Sequence, residues 1–175
     1  MELQQNIRKQ INMKIGQFNV IDNDVNIDDT VEIGNFNVIQ KGAKMSKNAI
    51  VGNYCEIGQF INVGENSILQ GRIRTADNCK IKKNVTLKYG VILTSNVTIH
   101  EGAFLGPNVI TLGSTHERVT IHGTSIGANT YIGASTIIGP NIQIGANIVV
   151  GANSFVNKNL TEPGIYVGTP VRKIK

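Results

Sequence analysis

Three histidines are the side chains in this sequence best suited to moving a proton. A neutral imidazole near pH 7 accepts a proton and can return it. His116 lies alone in an irregular segment, whereas His100 and His122 each occupy the second place of a six-residue unit. His116 is therefore the candidate for proton transfer, and we expect surface or hydrogen-bonding roles for the other two.

The two cysteines, Cys55 and Cys79, offer little chemistry. They form neither a disulfide framework nor a CxxC metal pair. Both occupy positions that the repeat described below buries, so we expect free packing thiols. An interior thiol is also a poor place for a covalent intermediate.

Composition narrows the class of protein. With 175 residues and 41% apolar side chains, the chain is one domain with enough apolar surface for a core, which excludes disorder. The start, MELQQNIRKQINMK, is polar, and no apolar run approaches the roughly 20 residues of a membrane span. We therefore expect a soluble, cytoplasmic protein. The charge of +5 is scattered among few aromatics, which argues against nucleic acid and favours a small anionic ligand.

A six-residue repeat organises the chain from Ile15 to residue 110. The first place of the unit is aliphatic in fifteen of sixteen units, and the fourth is Asn, Asp or Gly in ten. A period of six is neither helical nor strictly alternating, so each unit is a short strand followed by a turn. Asn, Asp and Gly tolerate left-handed backbone, as such corners need.

A second period of eighteen residues lies on the first. IGQFNV at 15, IGNFNV at 33 and VGNYCE at 51 are near copies, so three units make one coil. The period predicts a column of Phe18, Phe36 and Tyr54, and an internal hydrogen-bonding ladder of Asn19 and Asn37 that Cys55 ends. The predicted architecture is all-β, a triangular prism whose strands pair between successive coils.

The repeat breaks once, between Thr111 and Ser125, and resumes over 126–161. We expect an extruded loop near 111–121, and loops on rigid scaffolds often carry function. Leu3, Ile7 and Ile11 at helical spacing predict a short cap over the first coil. The predicted organisation is a cap at 1–14, the β-helix at 15–161 and a basic tail at 162–175.

Two stretches give the chain a resemblance to a known family. GPNVITLGSTH at 106–116 is similar to a segment of the sugar O-acetyltransferases in which a coil leads into a loop bearing the catalytic His. The stretch from IGANTYIGA through VVGANSFVNKNL to YVGTPVRKIK resembles their last coils and closing segment. The sequence is thus similar to the hexapeptide-repeat acyltransferase superfamily. The resemblance implies a left-handed parallel β-helix, a homotrimer and acyl transfer from CoA.

The resemblance also implies roles for single residues. It makes His116 the catalytic general base of a direct transfer, and it puts contacts to acetyl-CoA at Ala134, Ala152, Asn157, Arg172 and Lys175. Guanidinium and ammonium groups suit the phosphates of CoA. The implied acceptor is a hydroxyl or amine of a sugar or sugar nucleotide, and no metal is expected.

Other interpretations of the sequence stay open. Three His on a β-helix also resemble the zinc-binding γ-class carbonic anhydrases, although HERVTIH spaces His116 and His122 by six residues where that family has five. A non-catalytic β-helix module is the third interpretation. CKIKKNVTLKYGV resembles N-acetyltransferases of amino-sugar nucleotides used for surface polysaccharides, with Asn84 near an implicated Asn, so O- and N-acylation both remain possible.

Overall fold

The backbone winds into a three-sided prism built almost wholly from two-residue strands. The computed structural model describes residues 14–121 and 123–175, and within these ranges it contains strands and turns but no helix. The predicted helical cap falls on residues 1–13, outside the described residues, and Lys14 already belongs to the first strand.

Each side of the prism is one sheet, and we name the sheets faces A, B and C. Face A consists of β1 (Lys14–Ile15), β4 (Glu32–Ile33), β7 (Ile50–Asn53), β10 (Ile68–Gly71), β13 (Thr86–Leu87), β16 (Phe104–Leu105), β19 (Tyr131–Ile132), β22 (Ile148–Val150), β24 (Gly164–Val167) and β25 (Arg172–Lys173). Face B consists of β2 (Val20–Ile21), β5 (Val38–Ile39), β8 (Glu56–Ile57), β11 (Arg74–Thr75), β14 (Ile92–Leu93), β17 (Ile110–Thr111), β20 (Ile137–Ile138) and β23 (Phe155–Val156). Face C consists of β3 (Asn26–Ile27), β6 (Lys44–Met45), β9 (Asn62–Val63), β12 (Lys80–Ile81), β15 (Thr98–Ile99), β18 (Ser125–Ile126) and β21 (Gln143–Ile144).

Pairing between coils follows the predicted period. Strands pair in parallel with partners eighteen residues apart, as Ile15 does with Ile33 and Ile33 with Val51. The chain therefore visits faces A, B and C in turn, and we name its corners AB, BC and CA. This is the predicted left-handed parallel β-helix, with backbone hydrogen bonds running between coils.

The interior is a stack of aliphatic side chains from the first place of each unit. Ile57, Leu69, Leu87 and Leu105 are all buried. Thr75 is the exception within the repeat, and its hydroxyl accepts a hydrogen bond from the N–H of Gly58 at 3.1 Å. A buried polar group needs such a partner, because leaving it unpaired costs about 1–3 kcal/mol.

Most corners have the left-handed backbone conformation that the sequence predicts, and at several of them the residue in this conformation is aromatic. Phe18, Phe36 and Tyr54 all have φ near +60°. Their rings stack with centroids 4.9 and 5.1 Å apart, so contact between rings offsets the steric cost of that conformation. Asp24 does not adopt it, and that corner closes with a hydrogen bond from Val25 N–H to Asp22 O at 3.1 Å.

The internal asparagine ladder is also present. The Asn19 side-chain oxygen accepts the N–H of Asn37 at 2.8 Å, and the Asn37 oxygen accepts the N–H of Cys55 at 2.7 Å. The Asn19 amide also donates to the carbonyls of Gly16 and Gly34. The predicted column of these residues is confirmed.

Faces B and C differ in the side chains that they present to the outside. On face C the first residue of every strand points outward and is polar: Asn26, Lys44, Asn62, Lys80, Thr98, Ser125 and Gln143. On face B most are apolar: Val20, Val38, Ile92, Ile110, Ile137 and Phe155. Glu56 and Arg74 are the charged pair on that apolar face.

The last residues do not trail away from the prism. β24 extends face A by pairing with β22, and β25 returns antiparallel to β24, with Arg172 opposite Val167. The basic end of the chain is thereby held on the last coil.

Candidate functional site

The predicted loop leaves the prism at corner BC. Partners in the pairing of β15 with β18 are 27 residues apart, whereas those in the pairing of β12 with β15 are 18 apart, so nine residues are inserted here. Ser114 and Thr120 form an antiparallel bridge, and Thr115 N–H donates to Val119 O at 3.0 Å. The loop is therefore a short hairpin-like projection.

The base of the loop is tied to the coil before it. The hydroxyl of Thr111 accepts the N–H of Thr94 at 2.9 Å, and the two hydroxyl oxygens lie 3.0 Å apart. Gly113 lies so close to Thr94 that an added Cβ would be 3.2 Å from the Thr94 Cβ. These contacts fix where the projection starts.

His116 lies at the tip of the projection, with its side chain 92% exposed. Its Nε2 is 3.9 Å from the carboxylate Oε1 of Glu117, which is itself 72% exposed. The sequence did not identify Glu117 as a candidate. Its position directly after His116 is the one feature of the sequence that could have indicated it.

The other residues considered from the sequence have visible partners. His100 is half-buried on corner CA, and its Nε2 lies 3.1 Å from the hydroxyl of Ser125. Asn84 has φ of 58°, and its side-chain oxygen accepts the amide of Asn66 at 3.2 Å. Asn84 is thus a corner residue in an asparagine ladder. His122 lies outside the described residues.

Ala134 and Ala152 occupy the same place on corner AB in successive coils. Among the described residues, neither backbone N–H donates a hydrogen bond. In the first coils this place is closed, since the N–H of Gln17 donates to Asn35 Oδ1 and that of Asn35 to Asn53 Oδ1, both at 2.7 Å. Corner AB therefore closes this amide in its first coils and leaves it open at Ala134 and Ala152.

Corner CA carries a similar pair, Ala128 and Ala146, whose N–H groups also lack acceptors among the described residues. What sets corner AB apart is the tail. Gly168 N–H donates to the Ser154 hydroxyl at 3.1 Å, and the Thr169 hydroxyl donates to Asn153 O at 3.2 Å. The chain end thus crosses corner AB one residue beyond Ala152.

Arg172 follows this crossing directly. Val171 N–H donates to Phe155 O at 2.9 Å, and the Arg172 side chain is exposed. Lys173 is occupied, because its ammonium lies 2.9 Å from the Glu162 carboxylate. This contact holds the pKa of Lys173 above its usual value and the pKa of Glu162 below.

The remaining predicted contacts are more dispersed. Lys175 is exposed, and its backbone oxygen accepts the N–H of Ile165 at 2.9 Å. Asn157 is exposed on corner BC, after β23. Ala134, Ala152 and Arg172 therefore lie along corner AB, whereas His116 and Asn157 belong to corner BC, across face B.

Both thiols are shielded, as the sequence predicts. Cys55 and Cys79 are free and buried, with at most 1% of either exposed. Burial raises the pKa of the Cys55 thiol and raises the pKa of Cys79 to about 11. Thiols in this state are poor nucleophiles near pH 7.

Two features are absent from residues 14–121 and 123–175. No three His, Cys, Asp or Glu side chains in these ranges converge as metal ligands do. No helix there has the length and apolar character needed to cross a membrane.

Comparison with known proteins locates the fold. The profile of the family described as bacterial transferase hexapeptide (six repeats) matches residues 123–158. No curated protein matches the chain by sequence. Solved structures match over most of the chain, at identities that establish the fold alone.

Two of these structures cover most of both chains. The polySia-specific acetyltransferase NeuO is 18% identical with a TM-score of 0.63, over 91% of this chain and 83% of its own. An N-acyltransferase from Bacillus cereus, AntD, solved with dTDP-4-amino-4,6-dideoxyglucose and coenzyme A, is 20% identical with a TM-score of 0.56, over 98% and 87%.

A third structure is a longer protein. GDP-perosamine N-acetyltransferase from Caulobacter crescentus, solved with CoA and GDP-perosamine, is 16% identical with a TM-score of 0.48. The alignment covers 99% of this chain and 65% of that one, so this chain spans about two thirds of its length.

Proposed function

We infer that this chain, which has the left-handed β-helix fold and matches the hexapeptide family model over residues 123–158, is an acetyltransferase of the hexapeptide-repeat superfamily. The donor is acetyl-CoA, and the acceptor is a hydroxyl or amine of a sugar or sugar nucleotide. Two proteins of the same fold support this inference, because NeuO is an acetyltransferase and AntD an N-acyltransferase with coenzyme A bound.

The reaction needs one proton acceptor and accurate placement of two reactants. The acceptor's oxygen or nitrogen attacks the thioester carbonyl, and the bond to sulfur breaks as the tetrahedral intermediate collapses. His116 takes the proton of the attacking group and returns it to the departing CoA thiolate. Glu117, 3.9 Å from Nε2, lies beside the imidazole that carries this proton between the two steps.

The transfer is direct, without an acyl-enzyme. Both cysteines are buried and their pKa values are raised, so neither thiol competes as a nucleophile. Holding donor and acceptor in line then supplies most of the acceleration that the scaffold provides.

The donor lies along corner AB. The open N–H groups of Ala134 and Ala152 are one coil apart, about 4.8 Å along the prism axis, and suit the amide carbonyls of the pantetheine arm. Arg172, beside the same corner, and Lys175 bind phosphate groups. Asn157 contributes from corner BC.

The assembly we infer is a homotrimer with the site between subunits. His116 and Ala134 belong to different corners of one chain, so the loop of one subunit meets corner AB of its neighbour. The apolar outer side chains at the two ends of face B, Val20, Val38, Ile137 and Phe155, form the surface that such contacts would bury, whereas face C is polar. The free thiols fit a reducing compartment, and we place the enzyme in the cytoplasm.

The open amides on the tail-covered corner are the observation that carries this function, and proline substitution tests it. Pro107 already occupies the same place on corner AB, after a glycine, so Ala152→Pro fits the backbone while removing the N–H. We expect acetyl-CoA affinity, measured by calorimetric titration, to fall about three- to tenfold. Ala146→Pro, its match on corner CA, should leave affinity unchanged.

Absence of saturable acetyl-CoA binding to the unmodified protein would overturn the proposal. Equal losses in the two proline variants would instead remove corner AB from the donor site. Zinc analysis and a CO2 hydration assay would then test the carbonic-anhydrase alternative, and negative results there would leave a scaffold protein.

A further inference from the structure

A groove runs along face B on the N-terminal side of the His116 loop. It consists of two connected depressions of about 460 and 360 Å³ that share Glu56, Arg74 and Ile92. Tyr54 and Arg72 line it at corner AB, and Thr94 lines it at corner BC. We call this set of six residues the face B groove, and none of the six has a catalytic or CoA-binding role in the function proposed above.

The Tyr54 ring ends the aromatic column at the groove. Phe36 and Tyr54 stack with an interplanar angle of 2° and centroids 5.1 Å apart, so one ring face of Tyr54 is covered. The next residue in the column is Arg72, whose guanidinium lies 5.6 Å from the ring centroid of Tyr89. The other face of Tyr54 is therefore available to a flat group lying in the groove.

Two guanidinium groups lie beside that ring. Arg74 is held by Glu56 through two contacts of 2.8 and 3.3 Å. Arg72 has no carboxylate oxygen within 4.0 Å among the described residues, so its charge is unneutralised. The depression that Tyr54 lines therefore holds two guanidiniums against one carboxylate, and this local positive charge suits a diphosphate; Asp77 lines only the other depression.

The groove leads to the loop. Thr94, at its corner BC end, is hydrogen-bonded to Thr111, the residue after which the loop departs. Tyr54 lies three coils before that departure, a distance of about 14 Å along the prism axis. An extended nucleoside diphosphate sugar spans a distance of this order, from base to glycosyl group.

We propose that the face B groove binds the nucleoside diphosphate part of the acceptor. The base stacks on Tyr54, the diphosphate contacts Arg72 and Arg74, and the glycosyl group reaches the His116 loop. This assignment rests on the proposed function and narrows its acceptor from sugars in general to nucleotide-activated sugars. Glu56 fixes the Arg74 fork and offers an acceptor for ribose hydroxyls.

Direct binding tests the assignment without turnover. Titration with UDP and with dTDP, in the absence of CoA, should give saturable binding at one per chain. Tyr54→Asn keeps a residue that tolerates the left-handed corner and removes the ring, so both affinities should fall about five- to hundredfold. Arg72→Asn, on the same corner one coil later, should weaken binding of both nucleotides and also of inorganic pyrophosphate.

Phe60→Asn is the matched control. Phe60 is an exposed aromatic residue with φ of 55° on corner BC, outside the groove. Its replacement should change nucleotide affinity by less than about twofold. Sedimentation of each variant checks that assembly is unaltered.

The failures of the two proposals are distinguishable. If acetyl-CoA binds and simple sugars are acetylated while UDP and dTDP do not bind, the groove assignment is wrong and the transferase stands. If nucleotides bind with the expected variant pattern but acetyl-CoA does not, the groove assignment stands and the proposed transfer fails. Loss of assembly in Tyr54→Asn, with no nucleotide binding by the parent, would make the groove a contact between copies of the chain and overturn the assignment.

Discussion

The side-chain oxygen of Asn37 lies 2.7 Å from the backbone nitrogen of Cys55, one coil further on, and both residues are buried. A polar side chain inside a prism filled mainly by aliphatic groups substitutes for the missing strand pairing at that corner. It also fixes which coil lies over which, because only one register satisfies the N–H of Cys55.

Asn37→Ala should therefore destabilise the fold. The N–H of Cys55 would lose its acceptor while remaining buried, at a cost of about 1–3 kcal/mol in the free energy of unfolding. Urea denaturation measures this change. Asn62→Ala, an outward-facing residue on face C, should stay within about 0.5 kcal/mol of the parent. Equal effects of the two substitutions would contradict a structural role for the ladder.

His116→Ala should abolish most turnover and spare binding. Losing a general base lowers kcat by on the order of a hundredfold or more, whereas the loop contributes nothing to the coil interior. Acetyl-transfer assays and calorimetric titration with acetyl-CoA separate the two effects. His100→Ala, which removes the contact to Ser125, is the control and should retain turnover. Unchanged kcat in His116→Ala would remove this residue from the mechanism.

Arg172→Ala should weaken CoA binding and reduce its dependence on salt. An exposed guanidinium without an ion-pair partner among the described residues contributes to phosphate binding mainly through charge, which added salt screens. Titrations at low and high salt should show the parent and variant converging. Lys44→Ala on face C removes an equal charge far from corner AB, and an equal loss there would identify the effect as one of net charge alone.

Cys79 gives the fold a defined response to alkaline pH. Burial raises the pKa of its thiol to about 11 in the folded state, against 9.0 for an unperturbed thiol. Between these values the unfolded chain releases the proton first, so it binds fewer protons and the free energy of unfolding falls as pH rises. Over this pH interval the free energy of unfolding, measured by urea denaturation, should fall by roughly 1–3 kcal/mol less in Cys79→Ala than in the parent. A parallel decline in parent and variant would refute the assignment.

The sequence was informative about the fold because the period repeats many times. Aliphatic residues six apart and near copies eighteen apart predicted the faces, the interior and the columns of Phe18, Phe36 and Tyr54. It said nothing of how a non-repeating segment folds. The pairing of the tail as β24 and β25 depends on contacts with the last coil, for which TEPGIYVGTPVRKIK carries no period.

The candidate site was less predictable for the same reason. The break in the repeat located His116, but the approach of Glu117 depends on the loop's own turn. Ala134 and Ala152 stand in units that differ little from those of Ala128 and Ala146. Only the path of the tail, visible in three dimensions, distinguishes the corners.

The nine-residue insertion is absorbed within a single corner. Partners are 27 residues apart across it and return to 18 in the pairing of β18 with β21. The coils on either side of the insertion therefore keep their regular spacing, whatever the length of the loop that leaves the corner between them. Loops of other lengths and sequences could be inserted after Thr111 without moving Ala134. The same prism could then carry a different catalytic loop beside an unchanged corner AB.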